Sequence, residues 1–181
     1  LGFFDRPASA ALLAALRAAP PISGLTEPLQ DIDTDAWSTT LANLADAGLV
    51  QPDRHTGALD AHPLVREHLA ATLETSHPDA WREGHRRLYA WLKGSTPHRP
   101  DGLDGLQPLY QAITHGCQAG LWQETCDEIY IDRILRGTGI GDFYSINKLG
   151  AFGADLGAVA CFFAEPWCRP APDLKEAWQA W

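Results

Sequence analysis

The stretch from Leu59 to Leu73 (LDAHPLVREHLAATL) constrains the fold of this chain more than any other. Residues 59–62 alternate apolar and polar side chains, which predicts a short, half-buried strand. Pro63 suits the first position of a helix, where its missing N–H group costs nothing. The apolar residues that follow recur at i, i+4 and i+8, which predicts one buried stripe: Val65, Leu69 and Leu73. His62 is therefore predicted at the N-cap of this helix.

Two interpretations of His62 stay open from the residues alone. The first amides of a helix have no intrahelical partner, so a helix N-terminus can bind anions, and a histidine there can add a hydrogen bond to phosphate. Alternatively, His62 caps its helix or packs locally. Ser, Thr, Asp and Asn are the usual caps.

The residues before this stretch predict three helices and a β-hairpin. Helices are expected over 8–18 and 22–29, and a third is capped by Asp33 or Thr34 and closed by Gly48. The third helix is expected to bury three side chains: Trp37, Leu41 and Leu44. Strands over 49–51 and 59–61 flank a polar turn. The sequence thus predicts a mainly α protein, with a winged helix-turn-helix domain of three helices and a small β-hairpin over residues 1–75.

Residues 76–181 predict an α-helical, repeat-like domain. One helix begins at Pro78 and carries a buried stripe of Trp81, His85, Leu88 and Leu92. Its arginines Arg82, Arg86 and Arg87 are interpreted as a solvated or domain-contact face. A loop over 94–105 leads to a helix whose apolar positions are Leu106, Leu109, Tyr110, Ile113 and Cys117. The turn 120–122 leads to another with Cys126, Ile129 and Tyr130, and this pair is typical of one unit of a helical repeat.

The last third of the chain alternates glycine-rich and apolar segments. Gly137 to Gly141 (GTGIG) follows a helix rather than a strand, so it is interpreted as a flexible link and not as a dinucleotide loop. An apolar stripe then predicts a helix ended by Pro166: Leu149, Phe152, Leu156, Val159 and Phe163. Three glycines in it, Gly150, Gly153 and Gly157, would let another helix approach closely. A final helix is expected over 175–181.

The charge distribution argues against binding to nucleic acid. The chain carries −9 overall, and residues 1–62 hold three arginines against eight carboxylates. The third predicted helix would read DNA in a transcription factor, yet residues 34–49 contain no Lys or Arg. Phosphate contacts supply most non-specific affinity for DNA, so this helix is poorly suited to a major groove.

Sequence motifs of catalysis are also missing. The chain has no G-x-x-x-x-G-K-[ST] loop, no G-x-S-x-G elbow and no H-E-x-x-H pair, so we expect no enzyme activity from it. Its four cysteines lack metal-ligand spacing, and a reduced, cytoplasmic setting fits them best, although a disulfide stays open. No apolar run is long enough to span a bilayer. Because the chain begins without methionine, we expect it to be a segment of a longer protein.

Several of these stretches resemble the winged-helix domain of bacterial STAND-class signalling NTPases of the NB-ARC type. In that family a strand ends in Met-His-Asp and runs into a helix beginning Leu-Val. Here the triplet is Ala61-His62-Pro63, and Leu64-Val65 follows. The segments LGFFDRPASAALLAAL and DAWSTTLANLADAGLV are similar to the start and middle of that domain. The resemblance covers residues 1–75 well and later helices more loosely. Ala61 and Pro63 depart from the pattern, so roles of the family's Met and Asp are not carried over.

The resemblance implies a non-catalytic regulatory segment that closes over ADP in the resting state. His62 would contact the β-phosphate of ADP and hold that state closed. The implied partners are an upstream nucleotide-binding domain, which holds ADP or ATP with Mg²⁺, and a downstream helical-repeat sensor. No cofactor or metal is implied for this segment alone, and oligomerisation on activation stays open. The rival interpretations are a winged-helix DNA-binding regulator and a helical protein-interaction scaffold.

Overall fold

The computed structural model describes residues 1–53, 55–165 and 167–175, and this part of the chain is mainly helical with small two-stranded sheets. The predicted fold class is confirmed at that level. The chain divides into two compact units, Leu1–Arg87 and Leu88–Trp181. The domain boundary expected at residue 75 stays a prediction. Pro166 and nearly all of the predicted final helix lie outside the described residues.

The first unit follows the predicted order of elements. It contains α1 (Ala10–Arg17), a 3-10 helix (Glu27–Leu29), α2 (Thr34–Asp46), β1 (Gln51–Pro52), β2 (Leu59–Asp60), α3 (Pro63–Ser76) and the first half of α4 (Pro78–Ser95). The two strands pair antiparallel, and Ala8 adds a bridge to Leu59. The helix expected over 22–29 is wrong in length. Gly24 takes φ +75° and Pro28 lacks an N–H group, so only a short turn forms.

Helix α2 begins and ends where its sequence signals predict. The Asp33 carboxylate accepts a hydrogen bond from the Ala36 N–H at 2.7 Å. At the other end Gly48 takes φ +70°, and the Leu49 N–H reaches back to the Leu44 carbonyl at 2.9 Å. This is a Schellman cap, and it requires the left-handed residue that glycine supplies.

The predicted burial of α2 and α3 is wrong. Trp37, Leu41 and Leu44 are only half-buried, Leu69 is exposed, and no residue described in α2 or α3 is fully buried. Strands of two residues each are too short to cover the apolar faces of both helices. The core is formed instead by the first residues, α1, the hairpin and α4: Phe3, Phe4, Leu12, Leu16, Val50, Leu59 and Trp81.

The stripe on α4 is confirmed, since Trp81, His85, Leu88 and Leu92 are all buried. In the first unit, the Phe3 ring stacks on Trp81 with 4.9 Å between centroids. The interpretation of the arginines needs one correction. Arg82 and Arg86 pair with acidic residues of α4, but Arg87 donates to the carbonyls of Leu16, Ala18 and Pro20. It thereby satisfies the C-terminal carbonyls of α1 and the turn beyond them.

The second unit continues α4 and adds five helical segments and a hairpin. These are α5 (Gly102–Gln118), α6 (Trp122–Glu124), a π-helix (Thr125–Leu135), α7 (Tyr144–Asn147), α8 (Phe152–Ala160), β3 (Phe163–Glu165) and β4 (Arg169–Pro170). The helix pair predicted around the turn 120–122 is present, with the turn at residues 119–121, but its second member is mostly π-helical. Gly116 lets the two approach, because a Cβ there would collide with the Thr125 side chain.

The apolar stripe predicted on α8 is wrong, because a different face of the helix is turned towards the protein interior. Phe152 and Leu156 are 61% and 58% exposed, whereas Asp155 and Ala158 are buried. Two hydroxyl groups hold Asp155 inside: Ser145 Oγ donates at 2.7 Å and the Tyr110 hydroxyl at 3.0 Å. A buried carboxyl group must have partners, and these partners fix which face of α8 turns inward.

The close helix approach predicted at the α8 glycines is also wrong. A methyl group added at Gly153 or Gly157 would meet no other atom within 4 Å. Among the described residues, therefore, no second helix packs against this face of α8.

Arg133 is the central buried cation of the second unit. It is 4% exposed. Its guanidinium donates hydrogen bonds of 2.8–2.9 Å to four backbone carbonyls: Lys93, Thr96, Pro97 and His98. These carbonyls belong to the end of α4 and the loop that follows, where no helical donor is left for them. Arg133 therefore attaches the α4–α5 loop to the π-helix.

We predict that Arg133→Met lowers the free energy of unfolding of the second unit by roughly 2–4 kcal/mol, because methionine keeps apolar volume but leaves the carbonyls without donors. Arg99→Met is the matched control. Arg99 is 46% exposed and pairs with Asp132, so its loss should cost less than about 1 kcal/mol. Urea unfolding followed through NMR signals of α5 measures both. If Arg133→Met and Arg99→Met lower the free energy of unfolding equally, the four carbonyl contacts of Arg133 add no stability beyond that of an exposed ion pair.

Candidate functional site

His62 lies at the N-cap of α3, as predicted, and its side chain is exposed. The ring Nδ1 accepts a hydrogen bond from the Leu64 N–H at 3.3 Å. An accepting Nδ1 carries no proton, so a neutral ring has its hydrogen on Nε2. Nε2 has no hydrogen-bond partner among the described residues, which leaves one N–H donor at the surface. The capping interpretation is thus confirmed, and it leaves the other nitrogen available.

The expected anion site made of free helix amides is absent from this junction. Pro63 has no N–H group, and the Leu64 N–H is bonded to the ring of His62. The N–H groups of Val65 and Arg66 both donate to the His62 carbonyl, at 2.9 and 3.1 Å. Any phosphate contact here would therefore rely on the imidazole and not on backbone donors.

Two neighbouring charges, those of Asp60 and Arg66, are paired with each other. The Arg66 guanidinium lies 3.2 Å from the Asp60 carboxylate, and its side chain is only 14% exposed. Asp60 also accepts a hydrogen bond from the Ala61 N–H at 2.8 Å. Beside this pair Leu64 is 68% exposed. The junction offers a single imidazole donor next to an apolar side chain.

A second candidate site, which the sequence analysis missed, is an apolar cavity in the second unit. Its volume is about 210 Å³, and it lies between the π-helix, α8 and the β3–β4 hairpin. The glycine-rich segment 137–141 is part of its wall, since Thr138 and Phe143 both line it. That segment is a loop, as predicted, and Asp142 accepts a hydrogen bond from the Gly139 N–H at 2.6 Å. Its flexibility stays a prediction.

The cavity wall carries few polar atoms and no charged side chain among the residues described there. Tyr130 is one of the lining residues, and its ring contacts Phe162 at 6.0 Å between centroids. The Tyr130 hydroxyl group has no hydrogen-bond partner in the described part of the chain. Burial raises the pKa of Tyr130, so the hydroxyl keeps its proton. Burial likewise raises the pKa of the Cys126 thiol to about 12, so this cysteine is not a nucleophile at neutral pH.

The Asp155 network supports the wall that α8 contributes. Asp155 faces Ser145 and Tyr110, and it also raises the pKa of nearby Tyr130. Burial raises the pKa of Asp155 above its usual value of 3.8, and the two hydrogen bonds oppose that shift. The sequence held a signal for this site, because Asp155 is the one charged residue in the apolar segment 149–164.

We predict that Asp155 makes the second unit less stable as pH rises. A carboxyl group with a raised pKa in the folded state stabilises most below its unfolded pKa, and that stability is lost as pH rises through the folded pKa. Asp155→Asn removes the titration and keeps the shape. The variant should therefore gain stability relative to the natural protein as pH increases from about 4.

Asp173→Asn, which removes a carboxylate at an exposed position, is the matched control. Urea unfolding at several pH values, followed through NMR signals of α8, gives the comparison. A difference between Asp155→Asn and the natural protein that stays constant with pH would contradict the prediction.

Two places in the described chain thus offer a site, the imidazole at the start of α3 and the cavity beside Tyr130. No helix among the described residues has both the length and the hydropathy needed to cross a membrane. The same residues contain no group of three or more His, Cys, Asp or Glu side chains placed to hold a metal ion. No family model, curated protein or solved structure matches the chain.

Proposed function

We propose that this chain is the non-catalytic regulatory segment of a bacterial STAND signalling NTPase. Residues 1–75 form its winged-helix domain and close over ADP in the resting state. Later helices link that domain to a helical-repeat sensor. An upstream domain supplies the P-loop and holds ADP or ATP with Mg²⁺, in the cytoplasm. A trigger at the sensor releases the closed state.

The observation that carries this proposal is the position of His62. It follows a strand and caps the next helix, with Nδ1 used by the cap and Nε2 exposed. A neutral imidazole in that arrangement can donate one hydrogen bond to a β-phosphate oxygen without giving up its cap. The order of three helical segments, hairpin and helix in the first unit supports a winged helix. The occupied helix amides make His62 the single donor on which the contact depends.

Opening of the closed state needs only a small change in free energy. A hydrogen bond to a charged group contributes about 1.5–3 kcal/mol. A resting state that is favoured by a gap of similar size would be partly open once this bond is lost. His62 therefore adjusts the balance between the two states without any catalytic role.

The DNA-binding alternative is weaker, because α2 has no cation and residues 1–62 carry three arginines against eight carboxylates. The second alternative, a plain helical scaffold, predicts that contact with an ATPase domain does not depend on nucleotide. The STAND proposal requires that ADP strengthens this contact.

We expect no complex between this chain and non-specific duplex DNA at micromolar protein and low salt, because a duplex-binding domain needs cations against phosphate. A gel-shift experiment measures this. A retained complex that weakens steeply with added salt would favour the DNA-binding regulator.

The main test is His62→Ser in the intact parent protein. Serine is a good N-cap, so the fold should keep its stability within about 1 kcal/mol, but its short side chain cannot reach the phosphate. We predict that bound ADP is released about 10- to 100-fold faster, with higher basal effector activity. Fluorescent ADP displacement measures the release rate.

His68→Ser is the matched control, because His68 is an exposed histidine on the same helix. It should leave ADP release unchanged. If folded His62→Ser protein retains ADP as long as the natural protein does, His62 is a helix cap and nothing more.

A further inference from the structure

The composition of the cavity beside Tyr130 resembles that of small-molecule sites in other proteins. A dry cavity of about 150 Å³ lined by aliphatic side chains is large enough for benzene. At about 210 Å³ this cavity suits a substituted benzene ring. Ligand sites in proteins are mostly apolar with a few placed polar groups. Six of the lining residues show this composition: Cys126, Tyr130, Thr138, Val159, Phe162 and Phe163.

The lining determines the charge of a suitable ligand. None of the described residues in the wall is charged, so an ionised ligand would lose its hydration without gaining a partner. An uncharged ligand gains from burial against the aromatic and aliphatic wall. The Cys126 thiol stays protonated, so it offers a soft, uncharged contact and not a covalent attachment.

Tyr130 supplies the specific contact. Tyr130 lines the cavity, and its hydroxyl has no hydrogen-bond partner among the described residues, whereas Tyr89, Tyr110 and Tyr144 all have one. A half-buried phenol without a protein partner is free to donate to an acceptor on the ligand. The π-helix places Tyr130 and Cys126 on this wall, and π-helical turns occur frequently at functional sites.

We propose that this cavity binds an uncharged, mostly apolar small molecule the size of a substituted benzene, with one hydrogen-bond acceptor that the Tyr130 hydroxyl contacts. The site lies wholly within the second unit, and it does not depend on the role proposed for His62. If the parent is a sensor protein, such a molecule is the class of trigger that this unit can recognise.

Three probes test the proposal by NMR shift titration of the 181-residue chain. Acetophenone carries the acceptor, α-methylstyrene has nearly the same shape without it, and benzoate is the charged analogue. We expect saturable shifts confined to the cavity residues for the first two probes, with acetophenone binding more tightly. Benzoate should bind at least tenfold more weakly.

Two variants locate the binding. Tyr130→Phe should weaken the binding of acetophenone about 2- to 10-fold, because the variant loses only the hydrogen bond. The affinity for α-methylstyrene should stay unchanged. Val159→Phe should fill the cavity and abolish the binding of both probes. Tyr144→Phe, which removes a hydroxyl group outside the cavity, is the control. It should change the affinity for neither probe.

The proposal is wrong if acetophenone produces no saturable shift up to 10 mM, roughly the weakest affinity expected for so small a ligand. It is also wrong if the shifts map outside the cavity, or if folded Val159→Phe protein binds as the natural protein does. If Val159→Phe does not fold, the shift map of the natural protein and the Tyr130→Phe comparison decide the question.

Discussion

The contact between Arg133 and four backbone carbonyls connects the α4–α5 loop of the second unit to the π-helix. A helix end and a loop leave carbonyls that water would otherwise satisfy, and a planar guanidinium can reach several of them at once. Because Arg133 belongs to the π-helix, the same contact holds in place the segment that carries Tyr130. The wall of the cavity is thus attached to the α4–α5 loop.

Asp155 has a comparable effect on α8. Hydrophobic periodicity alone would turn Phe152 and Leu156 inward, yet the helix buries Asp155 and Ala158. Two hydroxyl groups make that burial favourable, and the rotation brings Val159 to the cavity wall. The hydrogen bonds of Asp155 therefore help to set the shape of the apolar cavity. It leaves Phe152 and Leu156 exposed on the other face.

His62 uses one of its two ring nitrogens to cap a helix. Nδ1 completes the cap of α3, while Nε2 remains at the surface. The backbone donors at this helix end are used internally, so a bound phosphate would be contacted by the imidazole alone.

The sequence by itself determined the features that arise from neighbouring residues. The Asp33 and Gly48 caps of α2, the cap at His62 and the buried stripe of α4 were all predictable, because capping and helical periodicity act within a few residues. Only the tertiary structure decided the half-burial of α2, the rotation of α8, the π-helix, and the partners of Arg87 and Arg133. These depend on carbonyls and hydroxyl groups that are distant in sequence, and a buried polar group follows the partner that satisfies it rather than the periodicity of its own helix.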